Sequence, residues 1–189
     1  MRRKIILASG SPRRKQLLKM AGLYFTVEQK NVPEMVPDTI PLEKRSQFLA
    51  EMKAAAMSVD HPEAIIIGAD TTVLCEGRLM GKPGSKEEAK EMLRFLSGKT
   101  HTVFTGVCLI CDETKEAHSF TSETKVEFYP LTEAEIDAYV ESGESRDKAG
   151  AYGIQGLGCT LVKRIEGDYY TVVGLPVAEV MRRLKAMQA

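Results

Sequence analysis

The rhythm of apolar and polar positions changes repeatedly along the chain, and each change marks an element. Residues 4–8 form a short apolar run that predicts a strand. Residues 12–20 follow with a helical pattern, with Ser11 placed as N-cap, Pro12 at the first helical position and Gly22 as the stop. Residues 24–27 read as extended, and residues 31–39, which hold Pro33 and Pro37, read as loop. A long amphipathic helix rich in alanine and methionine is expected over residues 42–59, ended by His61-Pro62. Residues 64–68 are wholly apolar with three consecutive isoleucines, the pattern of a strand covered on both faces, and Asp70 is expected at its carboxyl end.

Ser85 with Glu88 forms a capping-box signature before a helix over 87–96, which Ser97-Gly98 stops. Strands are predicted over 103–111 and 121–129. Thr132 with Glu135 repeats the capping signature ahead of a helix to about residue 141, and Gly143 follows it. Residues 159–165 are expected as strand, 166–168 as a turn, 169–173 as extended, and 177–187 as a closing helix after Gly174-Leu175-Pro176. Strands alternating with helices argue for an α/β fold, and 189 residues with no repeat or evident linker argue for a single domain spanning residues 1–189.

One segment follows neither rhythm. Residues 147–158 hold Gly150, Gly153, Gly156 and Gly158 with polar groups set among them, which suits a loop where backbone passes close to something.

Charge narrows the range of partners. Lys plus Arg and Asp plus Glu number 26 each, so the molecule as a whole does not attract nucleic acid polymers or an anionic membrane. Phosphate binding must therefore be local. No apolar run is long enough for a membrane span or a signal peptide, which predicts a soluble, cytoplasmic protein. Cysteines 75, 108, 111 and 159 are expected as reduced thiols packed like small hydrophobes. Cys108 and Cys111 are spaced as C-x-x-C, but on a strand residues three apart face opposite ways, and no second such pair completes a zinc site.

Three places could carry chemistry. Ser9-Gly10-Ser11-Pro12-Arg13-Arg14 joins the first strand to the first helix, where N–H groups, the helix dipole, two hydroxyls and two guanidinium groups suit a triphosphate. The same residues would also suit a capped helix with solvated arginines. The spacing is not that of a Walker A loop. Asp70 stands where open α/β sheets place ligand sites and could hold a metal ion or accept a proton from water, or simply form a turn with the threonines after it. Glu34, on the proline-containing loop, is a second acid that could face a metal. Lys53 lies on the apolar face of its helix and Lys82 on a turn before Pro83; each could reach a phosphate or remain in water. No G-x-S-x-G elbow is present, and His61, His101 and His118 lack metalloprotease spacing.

Taken together, Leu7-Ala8-Ser9-Gly10-Ser11-Pro12-Arg13-Arg14, Gly68-Ala69-Asp70-Thr71, Leu96-Ser97-Gly98-Lys99-Thr100-His101, the 147–156 run Asp-Lys-Ala-Gly-Ala-Tyr-Gly-Ile-Gln-Gly, and Gly174-Leu175-Pro176 resemble the motifs of the Maf family of nucleotide pyrophosphatases, in the same order. The resemblance implies a two-lobed mixed-sheet α/β fold with a central cleft, like that of inosine triphosphate pyrophosphatases, and often a homodimer. It implies hydrolysis of a nucleoside triphosphate to the monophosphate and pyrophosphate with Mg²⁺ or Mn²⁺. Asp70 matches the proton acceptor, while Glu34, Lys53 and Lys82 match positions linked to metal or phosphate handling, with Asp70 and Glu34 as the metal-facing acids. Arg13, Thr71 and Gln155 match positions linked to base selection, and their identities resemble the subgroup acting on dTTP and UTP. Ser9, Ser11 and Arg14 complete the expected substrate contacts. Two other readings stay open: a nucleotide-binding regulator of septum formation, and a nucleotidyltransferase.

Overall fold

The computed structural model describes residues 3–188. Seven strands form one mixed sheet: β1 (Ile5–Leu7), β2 (Thr26–Val27), β3 (Ile65–Cys75), β4 (Arg78–Met80), β5 (Thr100–Cys111), β6 (Glu116–Phe128) and β7 (Val162–Gly167). Their order is β2-β1-β3-β5-β6-β7, with β4 paired to β3. β1 runs parallel to β2 and to β3, whereas the β3–β4 and β6–β7 pairs are antiparallel. The helices are α1 (Pro12–Met20), α2 (Arg45–Ser58), α3 (Lys86–Leu96), α4 (Glu133–Glu141), α5 (Tyr169–Val173) and α6 (Val177–Met187). No helix among the described residues is long and apolar enough to cross a membrane.

The described residues divide into two compact units. The first comprises 3–70, 105–122 and 174–188, and the second 71–104 and 123–173. In the first unit, Ile6, Ala8, Ile66 and Cys108 pack against Ala50, Ala54 and Met57 of α2. The small alanines have a purpose. A Cβ added at Gly68 of β3 would lie 2.2 Å from the Ala50 carbonyl, and one at Gly106 of β5 would lie 2.1 Å from the Gln47 backbone nitrogen. The α2 backbone therefore rests directly on two neighbouring strands, at a separation only glycine allows.

The second unit buries a separate core. Met92, Leu93 and Leu96 of α3 meet Ile136, Tyr139 and Val140 of α4, with Val103, Val126, Phe128 and Tyr152. Both helices begin as predicted. Ser85 accepts from Glu88 N–H, and Thr132 with Glu135 makes a reciprocal capping box. At the first of these the reciprocal half is shifted, because the Glu88 carboxylate accepts from Gly84 N–H at 2.6 Å.

Four expectations need correction. Asp70 does not end its strand: β3 continues through Asp70-Thr71-Thr72 to Cys75, because β4 pairs with Val73, Leu74 and Cys75 across a two-residue turn at Glu76 (φ 48°) and Gly77 (φ 77°). The hairpin was illegible because Glu76 does not advertise a turn. Residues 169–173 are helical, not extended, despite their β-favouring side chains. Asp168 caps them, its carboxylate accepting from Tyr170 N–H at 3.3 Å, Thr171 N–H at 2.9 Å and the Thr171 hydroxyl at 3.0 Å. β7 starts at Val162 instead of residue 159, because residues 156–160 first make a 3₁₀ turn. Cys159 is consequently exposed, while Cys75, Cys108 and Cys111 are buried free thiols; burial raises the pKa of Cys75 and Cys108.

Candidate active site

In the first unit the predicted loop is folded around its own side chains. Ser11 takes an extended conformation and its hydroxyl caps α1 by accepting from Arg14 N–H at 3.4 Å. Ser9 is buried, and its hydroxyl accepts from Ser11 N–H at 3.3 Å and from Arg14 Nη1 at 3.0 Å. The Arg14 Nε donates to the Gly174 carbonyl at 2.8 Å. Arg14 thus fastens residues 9–14 to the segment leading into α6. Its burial lowers the guanidinium pKa from the ordinary range and Arg13 adds to that, while Asp70 and Glu34 act in the opposite direction. Arg13 is half-exposed. The first turn of α1 holds no acidic residue, so the positive end of its dipole is not neutralised from within the helix.

The acids meet on one lysine. Side chains alternate along a strand, so Asp70 lies on the same face of β3 as Gly68, the face against which α2 is seated. Lys53 of α2 reaches that carboxylate, with Nζ 2.7 Å from Asp70 Oδ1, and it is also 2.7 Å from Glu34 Oε1. The side chains of Lys53 and Asp70 are recessed, at 19% and 15% exposure, whereas Glu34 on the loop is at 62%. The close approach that Gly68 permits is what brings the pair together. Among the described residues no three His, Cys, Asp or Glu side chains cluster as a metal cage.

The second unit holds the other predicted residues. Thr71 is half-buried on β3, next in the chain to Asp70. Lys82 is exposed and Gln155 half-exposed. The segments that carry them are joined, since Gly150 N–H donates to the Gly81 carbonyl at 3.0 Å.

A family model described as "Maf-like protein" matches residues 4–187. The chain belongs to the Maf family. Among curated relatives, the dTTP/UTP pyrophosphatase of Bacillus anthracis is 51% identical over 183 residues, covering 97% of this chain and 95% of that protein. The protein of the same name from Bacillus mycoides is 50% identical over the same shares. Among solved structures, the Ham1 protein of Staphylococcus aureus aligns with a TM-score of 0.52 at 15% identity, over 85% of this chain and 80% of that one. A HAM1 protein from Coxiella burnetii aligns at 0.50 with 13% identity, over 97% and 99%. These likenesses show a fold shared between this Maf chain and Ham1 proteins.

Reading the Maf motifs as a string missed what holds the 147–158 segment. Tyr152 Oη and His101 Nε2 lie 2.7 Å apart, and both side chains are buried. The Tyr139 hydroxyl accepts from Gly153 N–H at 3.0 Å, and both Glu144 carboxylate oxygens accept from Leu157 N–H at 3.1 Å. The Lys148 ammonium donates to the Glu144 carbonyl. A signal did exist, because His101 and Tyr152 each fall inside a Maf motif, but spacing alone does not pair residues 51 apart.

Proposed function

We propose that this chain hydrolyses dTTP and UTP between the α- and β-phosphates, releasing the nucleoside monophosphate and pyrophosphate. Its likeness across nearly the whole length to proteins named for that activity supports the reading. The observation that carries the chemistry is the recessed Asp70 carboxylate held by Lys53 beside Glu34. In this mechanism Asp70 accepts the proton of a water that attacks the α-phosphorus, the bond from that phosphorus to the bridging oxygen breaks, and pyrophosphate departs. Lys53, fixed by two carboxylates, orients Asp70 and offers positive charge to the phosphates. Arg13 and Lys82 are assigned to the departing charge. Ser9, Ser11 and Arg14 hold the α1 loop in shape, and the α1 N-terminus adds its dipole.

The donor set fits a small divalent ion. Two carboxylates are too few for a cage but enough for Mg²⁺ or Mn²⁺, which Mg²⁺-type sites hold through one or two acids with water and substrate oxygens completing the shell. Glu34 and Asp70 would hold it, and when bound it would offset phosphate charge. Thr71 and Gln155 are assigned to the base. A glutamine amide both donates and accepts, as the O4 and N3–H edge of uracil and thymine requires. A homodimer in the cytoplasm completes the proposal, and sedimentation velocity tests the first part of it.

The test is to incubate the protein with dTTP, UTP, ATP and GTP, each with Mg²⁺ or Mn²⁺, and to follow monophosphate and pyrophosphate. Turnover is expected to favour the two pyrimidine nucleotides and to need the metal. Binding without turnover would instead leave a nucleotide-binding regulator, and transfer to an added acceptor would make the chain a nucleotidyltransferase. Asp70→Asn is expected to lose about 10²–10⁴-fold in kcat while remaining folded. Retention of most of the activity would move the proton acceptor elsewhere.

A further inference from the structure

The segment carrying Gln155 is irregular, yet it is pinned closely on both sides. Before Gln155, Tyr152 is buried at 4% exposure and Gly153 N–H is held by Tyr139. After it, Leu157 N–H is held by Glu144. Only Ile154, Gln155 and Gly156 span the interval. Gln155 itself has an extended backbone (φ −89°, ψ 165°), and its side-chain amide has no hydrogen-bond partner among the described residues. The backbone entering this span is unusual too, because Gly150 and the non-glycine Ala151 both have positive φ, 68° and 59°. Such conformations persist where surrounding contacts impose them.

The deepest of those contacts is polar. Tyr152 sits in an aromatic cluster, edge-on to Phe128 with centroids 4.7 Å apart and to His101 at 5.3 Å, while His101 is edge-on to Phe128 at 4.9 Å. Inside that apolar setting the phenol and imidazole share one hydrogen bond, and His101 Nδ1 is buried with no partner. The pair has one O–H and, in the neutral ring, one N–H, but only one mutual bond. Whichever tautomer is present, one proton is left without an acceptor between them. A buried orphan of this kind costs stability, and an apolar pair of the same shape could do as well or better. The bond is therefore poorly explained as a device for stability alone. What it does supply is direction, since a phenylalanine could rotate or slide within the cluster whereas the hydroxyl can meet Nε2 in only one placement.

We propose that the His101–Tyr152 hydrogen bond is a positioning device for Gln155, setting the 152–157 span so that the amide meets the pyrimidine edge, and that base preference depends on it. His101 and Tyr152 are positioning residues, not catalytic ones. The proposal rests on the assignment of Gln155 to base recognition made above.

The experiment compares wild type, Tyr152→Phe, the double variant Tyr152→Phe/His101→Leu, and Gln155→Ala, with kcat and KM measured separately for dTTP and GTP and with thermal melting. Tyr152→Phe keeps the ring but strands His101 Nε2. It is expected to lower kcat/KM for dTTP by about tenfold, the scale of one misplaced hydrogen bond, chiefly through KM, and to change GTP less than twofold. Its midpoint of melting should fall by about 2–6 °C. The double variant removes both polar groups, so the midpoint should recover while the dTTP to GTP ratio stays collapsed. A ratio that survives in Tyr152→Phe, or that returns along with the midpoint in the double variant, overturns the proposal and leaves a purely structural pair. Gln155→Ala separates the two levels. If it leaves the ratio intact, base reading by Gln155 fails and the inference fails with it; if it collapses the ratio while Tyr152→Phe does not, only the positioning role is lost.

Discussion

Burial suppresses the charge of His101. Burial lowers its pKa from 6.5 to about 4, so the folded protein holds the ring neutral while the unfolded chain takes up a proton below pH 6.5. Stability linked to this group is therefore complete above pH 6.5 and falls as pH drops toward 4, where the folded form also protonates. Urea unfolding at pH 7 and pH 5 is expected to differ by about 2 kcal/mol from this residue, and His101→Leu should remove that part of the slope. The two arginines of the α1 loop should also separate. Arg14→Ala breaks bonds to Ser9 and to the Gly174 carbonyl and is expected to lower both turnover and melting temperature, whereas Arg13→Ala should lower turnover with little change in melting. Kinetics beside thermal melts would check this, and equal melts for the two variants would contradict it. Asp70 stood out in the sequence because a charged residue so soon after three isoleucines is conspicuous, but its place in the middle of β3 did not. The bond from Arg14 to the Gly174 carbonyl was not legible, since the two residues lie 160 positions apart.

At the level of elements, the helix starts were read most easily, because capping is local chemistry. Ser11, Ser85 and Thr132 each cap the helix that follows, as the sequence suggests. The α5 helix and the β3–β4 hairpin were not legible, since the first depends on one aspartate overriding β-favouring neighbours and the second on a turn without a turn-forming pair. The seating of α2 on glycines was equally hidden, and it has a measurable consequence. Gly68→Ala would place a methyl 2.2 Å from the Ala50 carbonyl and 2.9 Å from Ala54 Cβ, contacts that backbone must move to relieve. Overpacking of this kind costs about 1–3 kcal/mol. Because the shift falls between Asp70 and Lys53, turnover should drop further than stability does. A crystal structure of the variant with the 2.7 Å Lys53–Asp70 contact intact, together with wild-type kcat, would contradict the account.

Across the whole molecule, neither unit is a continuous stretch of sequence. The chain passes from one to the other at residues 70–71, 104–105, 122–123 and 173–174, and the first three passages fall inside strands. The first unit takes Leu175, Val177, Val180, Leu184 and Met187, all buried, from the last part of the chain. Each buried side chain of this size contributes about 1.5–3 kcal/mol. Five of them approach the total stability of an ordinary domain, roughly 5–15 kcal/mol. Deletion from residue 174 onward is expected to unfold the first unit, and hydrogen exchange should show protection lost in residues 3–70 and 105–122 before residues 71–104 and 123–173. Uniform retention of protection would refute that. The same arrangement governs how the protein is made. A ribosome produces α1 long before the Gly174 carbonyl that receives Arg14, which arrives 160 residues later with the buried side chains of α6 behind it. Until residues 174–188 emerge, the nascent first unit lacks five of its buried apolar side chains, so the unit that holds Asp70 cannot close its core before that stretch has been synthesised.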